Sequence, residues 1–327
     1  MRRCLVLLVC VILVACSSLP APDNNTRHSN APTVTAPAQF IEGDQPITVN
    51  NIANLKYLGR LDQPGTVSTL FTYALSPDDS RLAALNNEEI LSWNLLDGKL
   101  LFQTSRSDAT HLLYSSDKTE LYGIDNTGLT VVYDSTTGAT KTSFSGHPKY
   151  ADVIAFSSDD GWLAFGGTDG SVKVWDSYAR QSLVTFNADA QAVTALAFSP
   201  DGTQLATSGQ DGAVRVWNWH DRKLLVETRI DPSLQVGQMA FSPDGHWLAL
   251  GTSGDLRLWS MSKPSEVDTL NTGPGGAAQL LQFSPDGRFV LGGNQSSGLS
   301  MWTPDDHGLA ARLPNTQGTT IAAAFSP

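Results

Sequence analysis

The chain has 327 residues, with 21 Lys and Arg against 32 Asp and Glu, for a formal charge of −11. Such an excess of acid leaves too few cations to replace phosphate counterions or to dock on anionic lipid. This excludes broad nucleic-acid binding and electrostatic membrane binding. A hydrophobic content of 41% is enough for a large core and excludes a disordered chain. All three cysteines, Cys4, Cys10 and Cys16, fall in the first sixteen residues, so the rest of the chain has neither a disulfide framework nor a cysteine metal site.

Residues 1–15 read as a signal peptide. Arg2 and Arg3 form a basic start, and an uncharged apolar run follows to Cys16. Thirteen residues span about 20 Å as a helix, short of a hydrocarbon core of about 30 Å, a length that suits a signal-peptide core. The run ends Leu13-Val14-Ala15-Cys16, which resembles the bacterial lipobox. The resemblance implies diacylglyceryl transfer to the Cys16 thiol and cleavage before it, and two or three acyl chains anchor firmly. The expected location is therefore the outer face of a bacterial membrane, in the cell envelope, with lipid as the only membrane contact. Residues 16–49 are rich in Pro, Thr, Ser and Asn and lack an apolar period, so they read as a lipid-anchored flexible linker.

Residues 50–327 are one repeated unit. Phe198-Ser-Pro-Asp-Gly202 recurs at 241–245 and 283–287, with degraded copies from Leu75, Tyr114 and Phe156 and a last start at Phe325. The serines of this motif are Ser76, Ser115, Ser157, Ser199, Ser242, Ser284 and Ser326, spaced 39 to 43 residues apart. A second landmark keeps the same register: an aromatic, Trp93, Tyr133, Trp175, Trp217, Trp259 or Trp302, follows each of the first six serines by 17 or 18 residues. A period near 42 points to four-stranded propeller blades. In the fourth unit Val193–Phe198 reads as the innermost strand, apolar on both faces except Thr194. Ser-Pro-Asp-Gly turns the chain, because Pro presets φ, Asp bonds nearby backbone and Gly accepts positive φ. Strands at 204–208, 214–217 and 223–228 follow, the last the most polar. The predicted fold is all-β: a β-propeller of four-stranded blades with six complete units and a partial seventh.

These motifs, together with Asp169-Gly170, Asp211-Gly212, Val174-Trp175-Asp176 and Gly146-His147, make residues 50–327 resemble a WD-repeat β-propeller. In that family a His, a Ser or Thr, the turn Asp and the Trp form a hydrogen-bonded set within a blade. The resemblance assigns His147, Asp169 and Trp175 to such a set in the third unit, with Phe165 at the Ser/Thr position. In the fourth it assigns Thr207, Asp211 and Trp217, with Asp189 at the His position. The fifth and sixth units lack the turn Asp, so they are expected to rely on packing of Trp259 and Trp302.

The seventh unit holds only an inner strand, Thr319–Phe325, and residues 54–61 resemble an outer strand that could complete it. Three readings stand: a record cut short in the last blade, a natural truncation, or six blades that close with the surplus strands outside.

No two of the six histidines have metal-ligand spacing, and there is no Gly-x-Ser-x-Gly elbow, so no cofactor, metal or catalytic residue follows from the sequence. The resemblance implies recognition instead. On the face bearing interblade and second-turn loops the candidate contacts are Lys149, Tyr150, Gln191, Gln235 and Gln279. The expected function is a non-catalytic protein–protein scaffold or sensor with an unknown protein partner. Two alternatives remain: a propeller hydrolase or lactonase, for which only His111 and Asp152 stand at inner-strand starts, and a non-functional remnant of a longer gene.

Overall fold

The computed structural model describes residues 72–312, except scattered loop positions and the stretches 271–279 and 295–297, together with the short strands Leu7–Leu8 and Ala324–Phe325. These two short strands pair antiparallel with each other. Residues 72–312 form six four-stranded antiparallel sheets, each with its strands in chain order. The sheets are blades 1 to 6, at 72–105, 111–145, 151–187, 193–229, 236–270 and 280–312.

Blade 4 shows why the sequence folds this way. Its strands are Val193–Phe198, Gln204–Gly209, Ala213–Asn218 and Lys223–Arg229. The turn after the first strand needs a positive φ, and Gly202 supplies it at 68°, as Gly245 and Gly287 do at 72° in blades 5 and 6. In blade 2 Lys118 takes this position at 63°.

First strands lie side by side from blade 1 to 2 and from blade 3 through 6, so they form the inner layer. The second strands are nevertheless the most deeply buried, against the expectation that the innermost strand is the best covered. Leu205 and Ala206 have no exposure, whereas Gln238 on the first strand of blade 5 is exposed and a Cβ at Gly237 would meet nothing within 4 Å. The inner strand has an open side, and the second strand is packed on both faces.

Each pair of neighbouring blades shares an apolar cluster. Leu85 and Ile90 of blade 1 pack with Leu112 and Leu121 of blade 2, and Ala164 and Val174 of blade 3 with Val193 and Leu205 of blade 4. Ala206 and Val216 of blade 4 meet Leu248 and Trp259 of blade 5, and Leu258 of blade 5 meets Val290 and Trp302 of blade 6. Every such fully buried side chain stabilises the stack by about 1.5–3 kcal/mol, and each blade depends on its neighbours for cover.

The aromatic landmark has a backbone cause. In blades 1, 2, 3, 4 and 6 the register between third and fourth strands shifts at Trp93, Tyr133, Trp175, Trp217 and Trp302. A bulge there bends the strand and re-aims the aromatic. The expected contact between residues 54–61 and 319–325 lies outside the described residues.

Candidate functional site

The two ends of the blades are built differently. At one end lie the turns between first and second strands and the hairpins between third and fourth. Each motif serine there is buried, and its Oγ donates to the Asp two residues on: Asp78, Asp117, Asp159, Asp201, Asp244 and Asp286, at 2.5–2.8 Å. The same Oγ accepts the backbone N–H five residues on, at Arg81, Glu120, Trp162, Gln204, Trp247 and Phe289. The carboxylate also accepts the N–H of the preceding residue, as at Thr203 and His246. The turn reading rests on Pro, Asp and Gly, but the serine joins both halves of the turn.

That fifth residue also reaches the next blade. Arg81 Nη1 donates to Ser135 and Thr136, and Arg180 Nη2 donates to Glu120 Oε1 at 2.9 Å. Trp162 packs edge-on to Trp219 and His220, and Trp247 edge-on to His307. Four junctions are thus clasped at this end, two by polar bonds and two by aromatic edges.

At the opposite end the second-turn residues bond to the interblade loops. Thr168 N–H donates to the Tyr150 carbonyl, Gln210 N–H to Ala192 and Ser253 N–H to Gln235. This brings Tyr150, Gln191 and Gln235 to the same end of three successive blades. Tyr150 is 62% exposed, and Gln191 and Gln235 are exposed as well. Lys149 and Gln279 lie outside the described residues.

The blade networks differ from the set the resemblance assigned. In blade 3 His147 Nε2 meets Ser171 Oγ at 3.0 Å, and Ser171 Oγ donates to Asp169 Oδ1 at 2.6 Å. Ser171 therefore joins His147 to Asp169. It holds the Asp169 carboxyl below the usual range. Trp175 Nε1 donates to the Gly146 carbonyl. Phe165 stands at the family's Ser/Thr position, and its ring leaves no room for a side chain at Gly146, where a Cβ would lie 2.1 Å from it.

In blade 4 Trp217 Nε1 donates to Thr207 Oγ1 at 3.0 Å, as the resemblance implied. Asp211 does not join them. Arg215 draws it away at 2.6 Å and also binds Asp189 Oδ2 at 2.8 Å and Glu227 at 3.1 Å. Asp189, at the His position, has a side chain only 1% exposed. Burial, then the neighbouring Asp211 carboxylate, push its carboxyl up. Burial also pushes Asp211 up, but its bonds to Arg215 and to the Ala213 N–H outweigh that and hold it at about 2. The alternation Val214-Arg215-Val216 was the available sequence signal for a cation at this site.

Blade 5 corrects an expectation. It carries a polar clasp after all: Thr252 Oγ1 donates to Asp255 Oδ1 at 2.7 Å, and Arg257 bonds both Asp255 oxygens. Asp255 falls outside the Asp-Gly pattern because it stands three residues after the Thr in a tight turn, without a following Gly. Trp259 is fully buried, with Nε1 donating to Pro264. In blade 6 Trp302 is buried and its Nε1 has no acceptor among the described residues.

The described histidines serve separate local roles. His111 meets Thr110, His220 stacks on Trp219, His246 pairs with Asp244, and His307 lies 3.7 Å from Asp268. Among the described residues no three His, Cys, Asp or Glu converge as metal ligands. The Asp152 side chain is outside what is described.

Residues 138–176, 180–218 and 228–260 match the family described as WD domain, G-beta repeat. The first two matches each start with the fourth strand of one blade and end with the third strand of the next, and the third runs from the end of the fourth strand of blade 4 to the third strand of blade 5. The first two matched repeats thus supply the outer strand of one blade and the inner three of the next, which covalently ties neighbouring blades. No curated protein matches the chain.

Proposed function

We propose that this protein is a non-catalytic protein–protein interaction scaffold or sensor, displayed on the outer face of a bacterial membrane through lipid on Cys16. WD repeats generally mediate protein interaction without catalysis. The observation that carries the reading is the end of blades 3 to 5 where Tyr150, Gln191 and Gln235 stand exposed on loops pinned to second-turn backbone. Pinned loops lose little freedom on binding, which favours recognition. An exposed tyrosine is a common anchor of binding hot spots.

Anchoring rests on the sequence Leu13-Val14-Ala15-Cys16. Processing before Cys16 removes Leu7 and Leu8, and with them the short ladder to Ala324–Phe325.

Photo-crosslinkers placed at Tyr150, Gln191 and Gln235 should trap a discrete protein in intact cells, and crosslinkers at Lys263 and Arg288 on the other end should not. Equal trapping from both ends, or none from the first, overturns the scaffold reading. Intact mass of the membrane-extracted protein tests the anchor: acyl chains on a chain starting at Cys16 support it, and an unmodified Cys16 overturns it.

A further inference from the structure

The fourth strand of every blade is a sheet edge, hydrogen-bonded within its blade on one side only. Such an edge presents unpaired backbone groups to another chain unless charge or shape blunts it. The outer strand of blade 4, Lys223–Arg229, has seven residues and no proline. Its Leu224 and Leu225 are 40% and 46% exposed. Among the described residues no other outer strand has two exposed leucines. Adjacent leucines left in water on a sheet edge gain by being covered.

The charges along this strand fit a second copy of itself. In an antiparallel pair with the two-fold axis at Leu225, Leu225 meets Leu225 and Leu224 meets Val226. Lys223 then stands opposite Glu227, and Asp221 opposite Arg229. The axis repeats each pair, so an apolar centre is flanked by opposite charges on both sides. Moving the axis to Leu224 sets Asp221 against Glu227, and moving it to Val226 sets Lys223 against Arg229. Like charges directly opposite are destabilising, so the charges select the Leu225 register. The outer strands of blades 1 and 3, centred in the same way on Leu101 and Leu183, bring no opposite charges together.

The groups needed are available. Asp221 and Lys223 are exposed and have no ion pair among the described residues. Arg229 is exposed too, holding Glu227 Oε1 at 3.3 Å with donors to spare. The bulge of this strand falls at Leu225: the register steps from Val226 opposite Val216 to Leu224 opposite Trp217, so Leu225 has no partner in its own blade. A bulge bends an edge and discourages pairing with a straight strand. A two-fold axis at Leu225 sets bend against bend, which favours this same strand as the partner.

We propose that the outer strand of blade 4 pairs antiparallel with its counterpart in a second copy of this chain, joining two propellers edge to edge about Leu225. The test is sedimentation velocity of the full chain in mild detergent, with a dimer expected at a Kd of about 10 μM for so small an interface. Lys223→Glu sets like charges opposite each other twice and should weaken the dimer about tenfold or more. Arg229→Asp should weaken it similarly, and adding Asp221→Arg should restore it. Leu225→Cys should form an intermolecular disulfide on oxidation, because residues directly opposite lie within disulfide reach. Leu183→Cys, at the same bulge position of blade 3, should crosslink no more than the parent chain. All the substituted side chains are exposed, so the variants leave the core intact. A monomer at every concentration up to about 100 μM overturns the proposal. So does a dimer that persists in Lys223→Glu, or equal crosslinking from Leu183→Cys and Leu225→Cys.

Discussion

Ser242 Oγ donates to Asp244 Oδ1 at 2.5 Å while accepting the Trp247 N–H at 2.9 Å. One buried hydroxyl thus ties a turn carboxylate to the start of the next strand, and five other blades repeat the arrangement. It explains why serine, rather than any small residue, follows the apolar residue in each copy. Backbone N–H groups buried at a strand start need an acceptor, and the chain supplies one locally.

Removing that hydroxyl should therefore cost more than one ordinary hydrogen bond. Ser284 has no exposure, and its Oγ serves both Asp286 and the buried Phe289 N–H. Ser284→Ala leaves that N–H without an acceptor, so the expected loss is about 1–3 kcal/mol. Urea unfolding of the variant beside the parent measures it. An unchanged midpoint would show that the relay is decorative.

The relay also makes the fold sensitive to acid. The carboxyls of Asp117, Asp159 and Asp201 are held below their ordinary value, chiefly by the serine hydroxyl. For Asp78 and Asp244 burial pushes upward, but their hydrogen bonds outweigh it, and Asp244 falls to about 2. A carboxylate with a depressed folded pKa contributes stability above its unfolded value of 3.8, and that contribution is lost as pH falls through the folded value. Thermal unfolding followed from pH 7 downward should show a steady midpoint above about 5 and a steep fall below about 4. Asp201→Asn should lower the midpoint at pH 7 and flatten part of that fall.

Much of this was legible in the sequence. Two landmarks kept register over six units, and the strand bounds of blade 4 differ from the expected ones by a residue or so. Turn chemistry and alternation are local, so a linear reading reaches them. The blade networks were less accessible, because their partners are fixed by tertiary contact. Ser171 bridges His147 and Asp169, and Arg215 pulls Asp211 away from Thr207. Neither residue belongs to the family's set, so reasoning by resemblance passed over both. The clasps between blades were invisible for a further reason. Glu120 and Arg180 are 60 residues apart, and nothing in a repeat's own spacing marks such a pair.

Asp189 and Asp211 share Arg215 but should respond oppositely to neutralisation. Burial and the Asp211 carboxylate raise Asp189, so its ionised form is disfavoured in the folded state. A raised carboxyl contributes stability below its unfolded value of 3.8 and loses it as pH rises through the folded value. Asp189→Asn should accordingly raise the unfolding midpoint at pH 7, with the gain vanishing below about pH 4, where the carboxyl is protonated in both states. Asp211→Asn removes the carboxylate held at about 2 and should cost on the order of 2 kcal/mol at pH 7. Differential scanning calorimetry of both variants decides this. Equal losses in the two would mean that Arg215 needs both charges.

The hairpin between third and fourth strands offers a cleaner test of backbone strain. One position there carries a left-handed backbone in five blades: Gly98 and Gly138 in blades 1 and 2, and Arg180, Arg222 and His307 in blades 3, 4 and 6. Arg180 has its ion pair to Glu120 to offset the conformation, whereas the exposed Arg222 has no ion pair among the described residues. A left-handed arginine costs about 1–2 kcal/mol, and a glycine gives back about 0.4–1 kcal/mol through the unfolded chain. Arg222→Gly should therefore stabilise the protein by up to about 1 kcal/mol, whereas Arg222→Ala, which keeps a Cβ at φ 56°, should not. Urea midpoints of the two variants separate relief of strain from loss of the side chain. A gain in both would place the effect in the arginine's charge instead of its backbone.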